Sequence, residues 1–139
     1  LERMERVIPL FIRKISRGEP ITVYGKEKVL DFTYVDDCVD GIHRGIDYLV
    51  GGGEANHTIN LAYGQGNSLV NMAKLVGQAL GVEPNMTIEP SRVGEVTHYV
   101  ANIGKARALL GYNPTTTLEE GIPKAVAWST EWWANHKDE

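Results

Sequence analysis

A short glycine-containing stretch, Arg92-Val93-Gly94-Glu95, sets a guanidinium and a carboxylate three residues apart. The arginine fork can donate to phosphate oxygens and the carboxylate can accept from ribose hydroxyls, which suits a nucleotide diphosphate. Standing alone, such a pair is an ordinary surface ion pair. Gly64-Gln65-Gly66 supplies part of a dinucleotide-binding fingerprint, but the third glycine is absent, and a plain strand-to-helix turn is the better reading. Asp36-Asp37 are adjacent carboxylates at an expected helix start, where capping and the helix dipole account for both without a metal. His43, His57, His98 and His136 show neither i,i+4 pairing nor HExxH-like spacing, so a histidine metal site is not expected. Cys38 falls at a helix start that can activate a thiol, but no His or Cys stands beside it, and it reads as buried and inert. Trp128, Trp132 and Trp133 can stack on a sugar or base, yet read first as anchors of the last helix to the core.

The elements that must position these residues alternate between helix-like and strand-like. Pro9 suits a first helical turn, Phe11, Ile12 and Ile15 share a face, and Gly18 with Pro20 closes the segment. Ile21–Tyr24 reads as a strand, so Thr22 and Tyr24 share one face and Ile21 and Val23 the other. Lys26-Glu27-Lys28 is expected to be a solvated turn, and Asp31–Val35 a second extended run. Val39, Ile42, Ile46 and Leu49 keep helical spacing, and Gly51-Gly52-Gly53 ends that helix. Thr58–Ala62 reads as a strand that needs neighbours. Ser68 caps a helix carrying Leu69, Met72, Ala73, Val76 and Leu80, ended by Gly81. Met86–Glu89 is a further strand, and Asn102 caps a short helix ended by Gly111. Thr117–Glu120 forms a capping box for a last helix that Pro123 is expected to disturb. The pattern is α/β, helices outnumbering three or four short strands.

The 139 residues, with 42% hydrophobic side chains, are enough for one ordinary globular domain. A net charge of −4 with no long basic run argues against nucleic-acid binding. No apolar run approaches the ~20 residues of a membrane span, and the charged start has no signal-peptide core. The single cysteine excludes an internal disulfide, and a reducing, cytoplasmic setting is expected. The chain begins at Leu1 with its first methionine at Met4, which suits either a trimmed chain or one that starts partway through a larger protein.

Taken in order, three segments carry a resemblance. They are Arg6–Ile12 with Gly18–Gly25, then Asp31-Phe32-Thr33-Tyr34-Val35-Asp36-Asp37, then Glu89-Pro90-Ser91-Arg92-Val93-Gly94-Glu95. Ile59-Asn60-Leu61, Gly66-Asn67-Ser68, Asn102–Ala106 and Leu109–Tyr112 fit between and after them. Together they resemble the C-terminal, substrate-binding part of the extended short-chain dehydrogenase/reductases, specifically the NAD-dependent nucleotide-sugar epimerases and dehydratases of the UDP-glucose 4-epimerase type. The resemblance implies that residues 1–139 form a single nucleotide-sugar-binding C-terminal domain of an extended Rossmann-type epimerase, the dinucleotide-binding part being absent.

By the same resemblance, Thr22 and Tyr24 lie against the base, Arg92 contacts the diphosphate and Glu95 the ribose, with Gln65 and Tyr99 as further substrate contacts. NAD and the family's Tyr-x-x-x-Lys acid–base pair are assigned to the part ahead of Leu1. No cofactor and no catalytic residue are therefore expected in this chain, which alone should be inactive. The family's usual arginine before Asp-Phe, a second diphosphate contact, is here Leu30, so that role would pass to another cation, Lys26 or Lys28. Glu95 stands where Asp is common, Asn102 replaces a frequent Asp, and Pro123 is unusual. The alternative expectation is a non-catalytic, stand-alone nucleotide-sugar-binding or assembly module derived from such an enzyme. If Ile59–Ala62 belongs to a sheet built elsewhere, its exposed edges should drive self-association of the isolated chain.

Overall fold

A computed structural model describes residues 6–91 and 93–135; Leu1, Met4, Arg92 and His136 lie outside the described residues. The chain forms two compact units, one made of residues up to Lys28, Ser68–Thr97 and Glu119 onward, the other of Val29–Asn67 and His98–Leu118.

The first unit holds α1 (Val7–Ser16), β1 (Ile21–Tyr24), α3 (Leu69–Leu80), β4 (Met86–Glu89) and nearly all of α5 (Leu118–Asn135). Pro9 sits in the first turn of α1, where its missing N–H costs nothing, and Arg13 and Lys14 occupy the last turn. Phe11, Ile12 and Ile15 turn inward, and α1 packs on α3, whose Met72, Ala73 and Val76 are fully buried. Each large apolar side chain buried this way contributes about 1.5–3 kcal/mol. Ser68 is the N-cap of α3, its Oγ accepting from the Asn71 N–H at 3.0 Å, and Gly81 ends the helix in the left-handed region. β1 alternates as expected, Ile21 and Val23 buried, Thr22 and Tyr24 outward. It pairs in parallel with β4 from Ile21↔Met86 to Tyr24↔Glu89. α5 runs on through Pro123 and is anchored by Ile122 and Val126 rather than by tryptophans: Trp128 is 65% exposed and stacks outward on Trp132, ring centroids 6.3 Å apart. Trp128 and Trp132 are thus not the core anchors expected, while Trp133 is half-buried.

The second unit holds β2 (Val29–Asp31), α2 (Val35–Val50), β5 (His98–Tyr99), α4 (Gly104–Leu110) and most of β3 (Gly66–Ser68). The sheet order is β3-β2-β5, with β2 and β5 parallel at Val29↔His98 and Leu30↔Tyr99. The extended run expected over Asp31–Val35 sits two residues earlier, because Val35 already begins α2. Thr58–Ala62 forms no strand; the ladder lies instead at Gly66–Ser68, within the stretch read as a loop and helix cap. Asp31 organises the unit. Its Oδ1 accepts from the Tyr63 N–H at 3.2 Å, and its Oδ2 accepts from Gly64 at 3.0 Å and Ala101 at 3.2 Å. Asp37 does not cap its own helix; its carboxylate accepts the N–H groups of Thr115 and Thr116 at 3.2 and 2.9 Å. Asn102 lies one residue before the N-cap of α4, and its Oδ1 accepts from Gly104 N at 2.8 Å.

The apolar stripe of α2 is present but faces outward: Val39, Ile42, Ile46 and Leu49 are all exposed. A groove of about 310 Å³ runs along it, with Ile59, Leu61 and Leu110 on its other side. An apolar helix face normally buries itself against a second layer.

Candidate functional site

Parallel pairing brings the carboxyl ends of β1 and β4 side by side, with Tyr24 opposite Glu89. Ligands of open α/β sheets bind beyond such ends. Register partners in a parallel pair project to the same side, so Thr22 with Thr87 and Tyr24 with Glu89 form an exposed polar face.

The chain turns sharply just beyond Tyr24. Gly25 N donates to Glu89 O at 2.8 Å, and Lys28 N donates back to Gly25 O at 3.0 Å. Gly25 has φ +82°, and a Cβ there would lie 2.2 Å from Ser91 Oγ, so only glycine fits both the conformation and the space. Two side-chain links then stitch this turn to the segment after β4. Ser91 Oγ donates to Glu27 Oε1, and Lys28 Nζ donates to Glu95 Oε2 at 2.7 Å. The Ser91 hydroxyl, followed by Glu27's own backbone N–H and the Lys28 charge, holds the Glu27 carboxyl below the usual carboxylate range against a small desolvation penalty. Lys26 and Glu27 form the exposed turn expected, but the side chain of Lys28 is only 12% exposed, against 35% for Glu95.

The structure therefore gathers three of the expected substrate residues, Thr22, Tyr24 and Glu95, in the first unit, with Glu95 engaged by Lys28. Arg92, the diphosphate candidate of the same loop, lies outside the described residues. Gln65 and Tyr99 belong to the second unit, Gln65 exposed between two glycines and Tyr99 66% exposed opposite Leu30. Glu89 and Ser91 lie within a quoted segment, and Glu27 and Thr87 within the expected turn and strand, but sequence reasoning gave none of the four a role in the site.

A Tyr-x-x-x-Lys spacing does occur once in the chain, at Tyr24 and Lys28, although the resemblance assigns that pair to the part ahead of Leu1. That spacing aligns two side chains on one face of a helix. Here Tyr24 ends a strand, Lys28 lies past a tight turn and pairs with Glu95, so the spacing carries no acid–base dyad.

A Cβ at Gly64 would lie 2.9 Å from Ile103, and one at Gly66 would lie 2.2 Å from Val29 and 2.8 Å from Val100. Both glycines are accounted for by the chain's own packing, and the helix start that follows is capped by Ser68. Among the described residues no group of three His, Cys, Asp or Glu side chains is disposed to hold a metal, and no helix is long and apolar enough to cross a membrane. Cys38 is partly exposed rather than buried.

Residues 2–125 match the family of GDP-mannose 4,6 dehydratase. The chain is 31% identical over 147 residues to a dTDP-glucose 4,6-dehydratase of Salmonella typhimurium, covering 96% of this chain and 39% of that protein. Its fold superposes on a UDP-glucose 4-epimerase of Thermotoga maritima, solved with UDP-glucose, at a TM-score of 0.82 and 26% identity, over 94% of this chain and 41% of that one. A UDP-glucose 4-epimerase of Bifidobacterium longum, solved with NAD+ and UDP, gives 0.77 and 26% over 91% of this chain and 39% of that one. The chain thus spans about two fifths of the length of these relatives and matches the C-terminal portion of the epimerase structures.

Proposed function

The chain belongs to the GDP-mannose 4,6-dehydratase family, within the extended short-chain dehydrogenase/reductases, and on that premise we propose that it is the substrate-binding portion of an NAD-dependent nucleotide-sugar epimerase or dehydratase. The observation that supports this most is the polar face of Thr22 and Tyr24, which ends in the stitched loops carrying Lys28, Glu95 and the sequence position of Arg92. On this reading Thr22 and Tyr24 flank the base, Arg92 meets the diphosphate, and Glu95 faces the ribose. Holding the nucleotide at a distance from the reacting carbon places the sugar for chemistry and supplies binding energy to it. NAD, held by another part of the protein, would accept a hydride from a sugar hydroxyl and return it. This chain's own residues bind and orient; none is assigned a catalytic role.

Calorimetric titration of the purified chain tests the reading. Saturable binding of UDP-glucose is expected, weakened about tenfold or more in Arg92→Ala, since a charge-assisted fork to phosphate is lost. No binding of UDP-glucose or dTDP-glucose would overturn it.

The exposed apolar face of α2 and the groove along it support a second property, self-association of the isolated chain. Sedimentation velocity at high concentration is expected to show a species heavier than one chain, and a clean monomer would contradict this.

A further inference from the structure

We propose that Lys28, held in place by Glu95, is the cation that neutralises the diphosphate where the chain carries Leu30, and that Glu95 acts as its positioning residue. This rests on the nucleotide-sugar reading above and assigns one charge within it.

Leu30 lies inside β2, register-paired with Tyr99, and brings no charge. Of the two lysines in the turn beyond β1, Lys26 is exposed, whereas Lys28 is largely enclosed. An enclosed ammonium keeps its charge only with a partner, and Glu95 supplies one at 2.7 Å from the opposite loop. One of three ammonium donors is spent on that carboxylate, which leaves two for phosphate oxygens. The second stitch, Ser91 to Glu27, holds the same two loops together, so Lys28 is fixed at the carboxyl ends of β1 and β4 before any ligand arrives. An ammonium already ordered loses less rotamer freedom on binding than a free surface lysine would.

Titration calorimetry of the purified chain with UDP-glucose, and separately with inorganic pyrophosphate, tests the assignment. Lys28→Met is expected to weaken both by about tenfold or more, and Lys28→Arg to retain affinity within about threefold of the parent chain. Glu95→Gln keeps an acceptor for Lys28, and pyrophosphate carries no ribose for residue 95 to meet, so affinity for pyrophosphate should hold within about threefold. That variant decides the matter even if Lys28→Met fails to fold. Pyrophosphate binding unchanged in Lys28→Met, or lost in Glu95→Gln, would overturn this assignment while leaving the nucleotide-sugar reading intact. A parent chain that binds neither ligand would overturn both.

Discussion

Asp31→Ala is expected to unfold the second unit at a markedly lower temperature. Three backbone N–H groups, from Tyr63, Gly64 and Ala101, converge on this one carboxylate. A hydrogen bond to a charged group is worth about 1.5–3 kcal/mol, and the three are coupled through one acceptor, so the whole loss should be about 3–5 kcal/mol. Domains of this size are stable by only about 5–15 kcal/mol, so the melting temperature should fall by roughly 10 °C or more. Asp31→Asn, which keeps one carbonyl oxygen, should lie between. Asp36→Ala removes an exposed first-turn carboxylate and should cost under about 1 kcal/mol, a control for general effects of charge. Thermal unfolding followed by circular dichroism checks all three; an Asp31→Ala chain melting within a few degrees of the parent would contradict the role given to this residue.

Alkaline sensitivity should trace to Tyr112. Its ring is 1% exposed beside Gly41, and its hydroxyl has no hydrogen-bond partner among the described residues. Burial, then the charges of Asp37, Cys38, Asp31 and Asp40, push the phenol up from 10.0 to about 12. The folded state therefore prefers the neutral phenol. That stability is fully present below pH 10 and is lost as pH rises from 10 towards 12, up to about 3 kcal/mol for a shift of this size. In Tyr112→Phe this share of the alkaline loss should vanish. Stability at neutral pH should hold or rise, because a buried hydroxyl without a partner only costs. Melting temperatures of both chains from pH 9 to 12 provide the measurement, and an equal alkaline loss in the two would contradict the assignment.

Local patterns in this chain were readable where the physics is local. The alternation of Ile21–Tyr24, the Ser68 cap, the stripe of α3 and the left-handed glycines at 81 and 111 all depend on neighbours a few residues away, and all stand in the structure. The strand expected at Thr58–Ala62 failed because a strand is a property of its partner, and no segment of the second unit pairs with it. For the same reason α2 was readable as amphipathic while the direction of its apolar face was not. In the site, the resemblance and the alternation pointed to Thr22, Tyr24 and Glu95. The link from Lys28 to Glu95 spans 67 residues and leaves no periodic trace, so a turn that composition marks as solvated turned out to hold an enclosed charge.

The most direct test of where a nucleotide sugar sits is a titration of the isotopically labelled chain with UDP-glucose, followed residue by residue in amide correlation spectra. The expected result is that the largest saturable shifts fall on Thr22, Tyr24, Gly25, Lys28 and Glu95, at the carboxyl ends of β1 and β4. Saturating UDP-glucose that leaves those amides unmoved, or moves only residues remote from those two strand ends, would contradict the site.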